Sequence, residues 1–141
     1  MNAPVKANNR MHPNGRVAIL SLLVGLVLTV IGARFLVWPV AAARTFGVRG
    51  DLQGMALHQV VALRDIWLGL LAVGLVMLKE WQALTLWMGL GALVCLGDSF
   101  IAARAGGAWP PILFHLGSGV VLTALAIVIA HRRKPKGKSE A

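Results

Sequence analysis

Cysteine and charge are the scarce features of this sequence. One cysteine, Cys95, occurs among 141 residues, which excludes an intrachain disulfide and a cysteine-based metal framework. Charged residues make up 13% of the chain and hydrophobic residues 57%, whereas a soluble domain averages about 25% and about 45–50%. This balance is typical of a polytopic membrane protein with one domain.

The sequence patterns of several enzyme and binding classes are also missing. No glycine-rich phosphate-binding loop and no Walker-type motif occurs in the sequence, so a nucleotide site is not expected. The four histidines fall at different depths, which argues against a metal centre and against two axial haem ligands. The basic residues carry no interleaved aromatics, so a nucleic-acid partner is not expected. We therefore expect no cofactor and no metal.

The chain does have four apolar runs of about 20 residues, the length that crosses roughly 30 Å of hydrocarbon. These runs cover residues 17–38, 59–78, 82–103 and 111–130. They predict an all-α integral membrane protein, an up-down four-helix bundle with one domain over residues 17–130. Residues 1–16 are expected to form a cytoplasmic segment and residues 131–141 a basic cytoplasmic tail. The first run is too long for a signal peptide and contains Arg34, so we do not expect cleavage there.

The distribution of Lys and Arg sets the expected orientation. Nine of them lie on one side of the predicted spans: Lys6, Arg10, Arg16, Lys79, Arg132, Arg133, Lys134, Lys136 and Lys138. Three lie on the other side: Arg44, Arg49 and Arg104. Because the more basic side faces the cytoplasm, we predict that both termini are cytoplasmic, in a bacterial inner (plasma) membrane. For the longest connection, residues 39–58, the sequence leaves open whether part of it is an interfacial helix or a cap over the bundle.

Five ionisable residues lie inside the apolar runs: Arg34, Arg64, Asp65, Asp98 and His115. At about 1.5 Å per residue they stand about 21 to 27 Å above the cytoplasmic ends of their helices, so they share one layer near the outer face. A charge in hydrocarbon costs roughly several kcal/mol unless it is paired or hydrated, and such residues indicate a functional site by default. Two arginines and two aspartates are a neutral set, and we expect them to pair with one another inside the bundle.

The face of its helix on which each polar residue lies indicates whether the residue points into the bundle. Asp98 and His115 share helix faces with small residues, which mark close helix contacts in membranes, so both are expected to point into the bundle. His58, seven residues before Asp65, lies on nearly the same face and is expected at the mouth of the site. Arg34 lies about 180° from the small-residue stripe of its helix. It therefore either sits on a helix rotated near the following proline or pairs at a helix–helix seam.

Several short motifs follow one another in a recognisable order. They are Gly32-Ala33-Arg34-Phe35, Trp38-Pro39, Ala43-Arg44-Thr45-Phe46-Gly47-Val48, Leu63-Arg64-Asp65-Ile66-Trp67-Leu68-Gly69, Leu96-Gly97-Asp98-Ser99-Phe100 and His115. In this order they resemble a domain-of-unknown-function family of small four-span membrane proteins from bacteria and fungi, and more loosely the DoxX-like four-span proteins. The resemblance covers about residues 16–130. It implies a four-helix integral membrane fold and implies no reaction.

Three functions remain open at the level of sequence. The favoured one is a small membrane protein whose polar layer binds a lipophilic small molecule, or organises a partner, at the outer leaflet. The second is a membrane-embedded acid–base enzyme, an isomerase, cyclase or hydrolase, in which Asp98 or His115 transfers the proton and Arg64 stabilises negative charge. In the third, the layer is a purely structural network that holds the bundle together, and the chain is a structural partner subunit whose partner carries the activity. The lipid bilayer is the expected partner in each case, and a homo-oligomer is left open.

Overall fold

The computed structural model of the protein describes residues 15–47, 55–106 and 108–133. These residues form five helices and no strand: α1 (Gly15–Val37), α2 (Pro39–Phe46), α3 (Met55–Met77), α4 (Trp81–Arg104) and α5 (Trp109–Arg133). By length and composition, α1, α3, α4 and α5 are each able to cross a membrane. The predicted all-α class with four apolar spans is therefore confirmed. Most of the predicted cytoplasmic segments, residues 1–16 and 131–141, lies outside the described residues.

Proline and glycine set the boundaries of α2, which lies in the connection whose conformation the sequence left open. Trp38 leaves the helical conformation (φ −130°, ψ 64°), because a following proline disfavours it, and Pro39 then begins the new helix. At the other end Gly47 adopts a φ of 92°, the left-handed conformation that glycine favours after a helix. An eight-residue helix thus follows α1 after a break of one residue.

The four long helices pack as two hairpins. α1 lies extensively against α3, and α4 against α5, whereas α3 touches α4, and α1 touches α5, much less. We call the α1–α3 pair hairpin one and the α4–α5 pair hairpin two. The expected contact between antiparallel neighbours is therefore strong within each hairpin and weak between them.

Glycines bring the two helices of hairpin one into close contact. A Cβ atom added at Gly32 would lie 2.7 Å from the carbonyl oxygen of Ala62, and one added at Gly25 would lie 2.8 Å from that of Gly69. Distances this short leave no room for a side chain, and small residues have this role where membrane helices meet. The small-residue face of α1 thus determines how closely α1 packs against α3 in hairpin one.

The core lies toward the end of the bundle where residues 78–80 join α3 to α4, which we call the turn end. Ten buried apolar residues from all four long helices form one cluster there: Val17, Ala72, Val76, Trp81, Leu84, Met88, Ala92, Leu122, Leu125 and Ile129. The opposite end, which we call the α2 end, has a smaller cluster of Phe35, Ala42, Ala43 and Ala62. The bundle is therefore less completely filled at the α2 end, where the residues of the predicted polar layer lie.

Candidate functional site

A cavity of about 400 Å³ lies at the α2 end, between hairpin one, α2 and the start of α5. Ten residues line it: Ile31, Arg34, Phe35, Ala42, Thr45, Phe46, Pro110, Pro111, Phe114 and His115. Its walls are aromatic, aliphatic and proline side chains, and Arg34, Thr45 and His115 supply the polar groups. Small-molecule sites usually have volumes of about 300–1,000 Å³, mostly apolar walls and a few placed polar groups. The cavity has the size and the lining of such a site.

His115 is the buried polar group of this cavity. The residue is 5% exposed, and its Nε2 atom has no hydrogen-bond partner within the described ranges. The ring packs edge-on against Phe46, with centroids 4.4 Å apart, and against Phe114 at 5.6 Å. A buried polar atom left without a partner costs about 1–3 kcal/mol. The burial of Nε2 therefore favours a hydrogen bond to a group that is not among the described residues.

α2 connects hairpin one to the cavity and to hairpin two. Its Ala42 and Ala43 are buried, and the ring of Phe46 lies edge-on to Phe35 of α1, with centroids 5.9 Å apart. The same phenyl ring contacts His115 of α5. After the helix, a Cβ atom added at Gly47 would lie 2.9 Å from the Cγ atom of Pro111. α2 is therefore packed between the two hairpins and forms one wall of the cavity.

Arg34 lies at the rim of the cavity and is exposed. Its Nη2 atom donates a hydrogen bond of 2.9 Å to Oγ1 of Thr45, and this hydroxyl donates in turn to the carbonyl oxygen of Ala41 at 2.9 Å. We call Arg34 and Thr45 the rim pair. Within the described residues Arg34 makes no ion pair with a carboxylate, so the expectation that all four charges of the layer pair with one another is wrong for this residue. The reason is geometric, because the glycine face of α1 meets α3 and α2 brings a threonine to the opposite face.

Arg64 and Asp65 form an ion pair within α3. The Nε atom of Arg64 donates to Oδ1 of Asp65 at 2.9 Å, with the arginine side chain 42% exposed and the aspartate side chain 6% exposed. The carboxylate is thus placed inside the bundle, and the guanidinium reaches it from the surface. This pair satisfies the requirement that a buried charge be compensated.

Asp98 links this ion pair to the cavity. It is half-buried on α4 and interacts electrostatically with His115, Arg64 and Asp65. We call these four residues the polar cluster. The structure therefore brings together four of the five residues of the predicted layer, from α3, α4 and α5, whereas Arg34 bonds to Thr45 of α2 and shares only the cavity with His115.

His58 lies beside the cavity and is not among its lining residues. It is half-buried near the start of α3, and its ring centroid is 6.2 Å from that of Phe35, which lines the cavity. Its side chain thus packs against a lining residue without lining the cavity itself.

The remaining polar side chains near the polar cluster bind their own helices. Ser99 donates to the carbonyl oxygen of Cys95 and Ser118 to that of Phe114, each at 2.8 Å. In the part of the chain that the structure describes, no group of three His, Cys, Asp or Glu residues is placed to hold a metal ion. The carboxylates, guanidinium and imidazole of the polar cluster offer hydrogen bonding and proton transfer.

Thr45 and Phe46 belong to the site but were not among the candidate residues identified from the sequence. Both lie on α2, and the connection carried the signals that define this helix, Pro39 before it and Gly47 after it. Three alanines, Ala41, Ala42 and Ala43, lie between these signals, and two of them, Ala42 and Ala43, are buried in the face that packs. These signals indicate a docked helix, but they do not indicate which partner each side chain contacts.

A family model described as Domain of unknown function (DUF4267) matches residues 25–129. The match begins within α1 and ends within α5, and it includes all the residues of the cavity, the rim pair and the polar cluster. No curated protein matches the chain, and no solved structure matches it.

Proposed function

The chain belongs to the DUF4267 family, as the resemblance of its motifs implied, and from its cavity we propose that it is a membrane protein that binds a lipophilic small molecule. The binding site is the cavity at the α2 end, with the polar cluster behind it. The molecule is held mainly by burial of apolar surface against Phe35, Phe46 and Phe114. It is oriented by a hydrogen bond to His115.

One observation carries this proposal, namely that His115, whose buried Nε2 atom has no hydrogen-bond partner in the described residues, lines an apolar cavity. A histidine with a purely structural role is normally bonded, since buried polar groups in folded proteins almost always are. A ligand oxygen or nitrogen at this atom would recover the energy that its desolvation costs. The mostly apolar lining means that the rest of the ligand is apolar.

The bilayer is both the surroundings of the protein and the source of the ligand in this proposal. Large apolar side chains on all four long helices are more than half exposed, for example Val30, Leu70, Leu93 and Val120, and they fit contact with lipid tails. Phe114 and Arg34, at the edge of the cavity, are exposed as well. A lipophilic molecule thus reaches the cavity laterally. From the Lys and Arg distribution we place the cavity in the outer leaflet of a bacterial inner membrane, with both termini cytoplasmic.

The experiment compares the wild-type protein with His115→Phe and His131→Phe. The second variant makes the same change on the same helix, at an exposed position of the opposite end. Each protein is purified from membranes and analysed by native mass spectrometry for small molecules that stay bound when the micelle is removed. We expect the wild type and His131→Phe to keep the same molecule and His115→Phe to retain much less of it, because one hydrogen bond is lost while the apolar contacts remain. Equal retention by all three proteins, or retention by none, would overturn the proposed function.

Acid–base catalysis is a second candidate, favoured by the electrostatic interaction of Asp98 with His115. In such a reaction Nε2 would take a proton from one atom of the substrate and return it to another, which yields an isomer without a co-reactant. Asp98 would stabilise the protonated ring. Under this alternative, Asp98→Asn keeps the molecule bound but changes which isomer is recovered. Chromatography of the released molecule decides, since simple binding predicts the same isomer from both proteins.

A further inference from the structure

The geometry points to a ligand with two polar ends: an anionic group that binds the rim pair and a hydroxyl or carbonyl oxygen that binds Nε2 of His115, joined by an apolar segment. This inference rests on the proposed function and adds the chemical class of the ligand. The class is that of an amphipathic anion with a second oxygen, such as a hydroxylated fatty acid.

The anionic end is inferred from the charge of Arg34. The two arginines of the layer differ, because Arg64 is paired with Asp65 at 2.9 Å, whereas Arg34 contacts a neutral hydroxyl. A guanidinium has five donors, and a cation near the hydrocarbon needs an anion or water. Thr45 uses its own hydrogen on the carbonyl oxygen of Ala41, so it holds the guanidinium in place without neutralising it. A carboxylate or a phosphate fits the remaining donors in a bidentate way.

The apolar segment and the second oxygen are inferred from the lining of the cavity. Apart from the rim pair and His115 the lining is apolar, and it includes the rings of Phe35, Phe46, Pro111 and Phe114. An apolar chain or ring fills such a space without leaving polar atoms unpaired. A plain hydrocarbon end would still leave Nε2 without a partner, whereas one oxygen at that end satisfies it.

Two sources supply an anionic amphiphile in a membrane, a free fatty acid with its carboxylate and a phospholipid with its phosphate. The experiment distinguishes them with four probes in native mass spectrometry: ricinoleic acid, methyl ricinoleate, oleic acid and phosphatidylglycerol. Ricinoleic acid has both polar ends, its methyl ester lacks the charge, and oleic acid lacks the hydroxyl. The proteins are the wild type, Arg34→Gln, His115→Phe and the control Arg104→Gln. Arg104 is an exposed arginine at the end of α4, and its guanidinium lies 5.6 Å from the ring centroid of Phe100, away from the cavity.

We expect the wild type to bind ricinoleic acid about tenfold more tightly than either its methyl ester or oleic acid. The ester loses the charged hydrogen bond to Arg34, and oleic acid loses the buried hydrogen bond to His115. Arg34→Gln removes the advantage over the ester, and His115→Phe removes the advantage over oleic acid. Arg104→Gln changes neither. Tighter binding of phosphatidylglycerol than of ricinoleic acid, again lost in Arg34→Gln, would assign the anion to a phospholipid headgroup and keep the inference.

Other outcomes overturn the inference and separate it from the proposed function. If the acid and its ester bind equally and Arg34→Gln has no effect, Arg34 only extends toward the aqueous interface. The anionic end is then wrong while the site stands. If ricinoleic and oleic acids bind equally, the second oxygen is wrong. If no probe distinguishes His115→Phe from the wild type and no native molecule is retained, both the inference and the proposed function fail.

Discussion

Replacement of His115 by phenylalanine is expected to make the ligand-free protein more stable. The change removes a buried Nε2 atom that lacks a partner, which is worth about 1–3 kcal/mol. It also removes a polar ring from the neighbourhood of half-buried Asp98, which offsets part of this gain. The larger phenyl ring has space, because the neighbouring cavity measures about 400 Å³. The net gain is about 1 kcal/mol, or a rise in Tm of about 3–5 °C for a domain of this length.

Thermal unfolding in detergent, followed by tryptophan fluorescence, measures this change on protein washed free of bound molecules. His131→Phe serves as the control, and its Tm is expected to stay that of the wild type because the residue is exposed at the end of α5. Functional sites often include groups that lower stability. A rise in the Tm of His115→Phe, with the Tm of the control unchanged, would therefore identify His115 as such a group. A fall in Tm of His115→Phe below that of the control would instead mean that the histidine is a bonded structural residue, and the reasoning would be refuted.

Three further predictions concern the scaffold, each checked by the same unfolding measurement. Gly69→Ala should cost about 1–3 kcal/mol, because its Cβ atom would lie 2.5 Å from the carbonyl oxygen of Gly25, whereas Gly74→Ala, with nothing within 4 Å, should be neutral or stabilising by up to about 1 kcal/mol. Equal Tm values for these two variants would contradict the tight seam of hairpin one. Lys79→Gly should stabilise by about 1 kcal/mol, because Lys79 has a φ of 59° that disfavours a side chain; a lower Tm would contradict this. Asp65→Asn should destabilise by about 1 kcal/mol, because it removes the carboxylate from a part-buried ion pair, and an unchanged Tm would show that the pair contributes nothing.

The four spans were predictable because hydrocarbon thickness requires about 20 apolar residues in a row, and such runs are visible in the sequence. The ends of the helices were harder to predict from the sequence. α3 begins at Met55, four residues before the apolar run at 59–78, and α5 continues to Arg133, three residues past the run at 111–130. Hydropathy marks where the chain meets lipid, whereas helical hydrogen bonds continue into the polar flanks. Caps and turns, such as the left-handed Lys79, set the true ends.

The predicted polar layer divides in the structure for a reason that the sequence does not contain. Depth arithmetic places Arg34 level with Asp98, but depth says nothing about which helices are neighbours. The structure packs α1 on α3 through glycines and brings α2 to the other face, so Arg34 contacts Thr45 instead of a carboxylate.

The cavity depends on weak contact between the hairpins and on where α2 is packed. Both are properties of tertiary packing. His115 could be selected as a candidate from its place among small residues. That its Nε2 atom lacks a partner in the described residues becomes visible only once Phe46 and Phe114 are seen on either side of the ring.

Photo-crosslinking in membranes shows whether the cavity at the α2 end holds a lipophilic ligand. A fatty acid with a diazirine in its chain is added to membranes that contain the protein, the sample is irradiated, and the crosslinked residues are mapped by peptide mass spectrometry. We expect crosslinks to concentrate on cavity residues, above all Phe46 and Phe114, and to be lost when unlabelled ricinoleic acid competes. If crosslinks instead spread over the lipid-facing residues of the long helices, such as Val30 and Leu93, with no effect of the competitor, the cavity is not a ligand site.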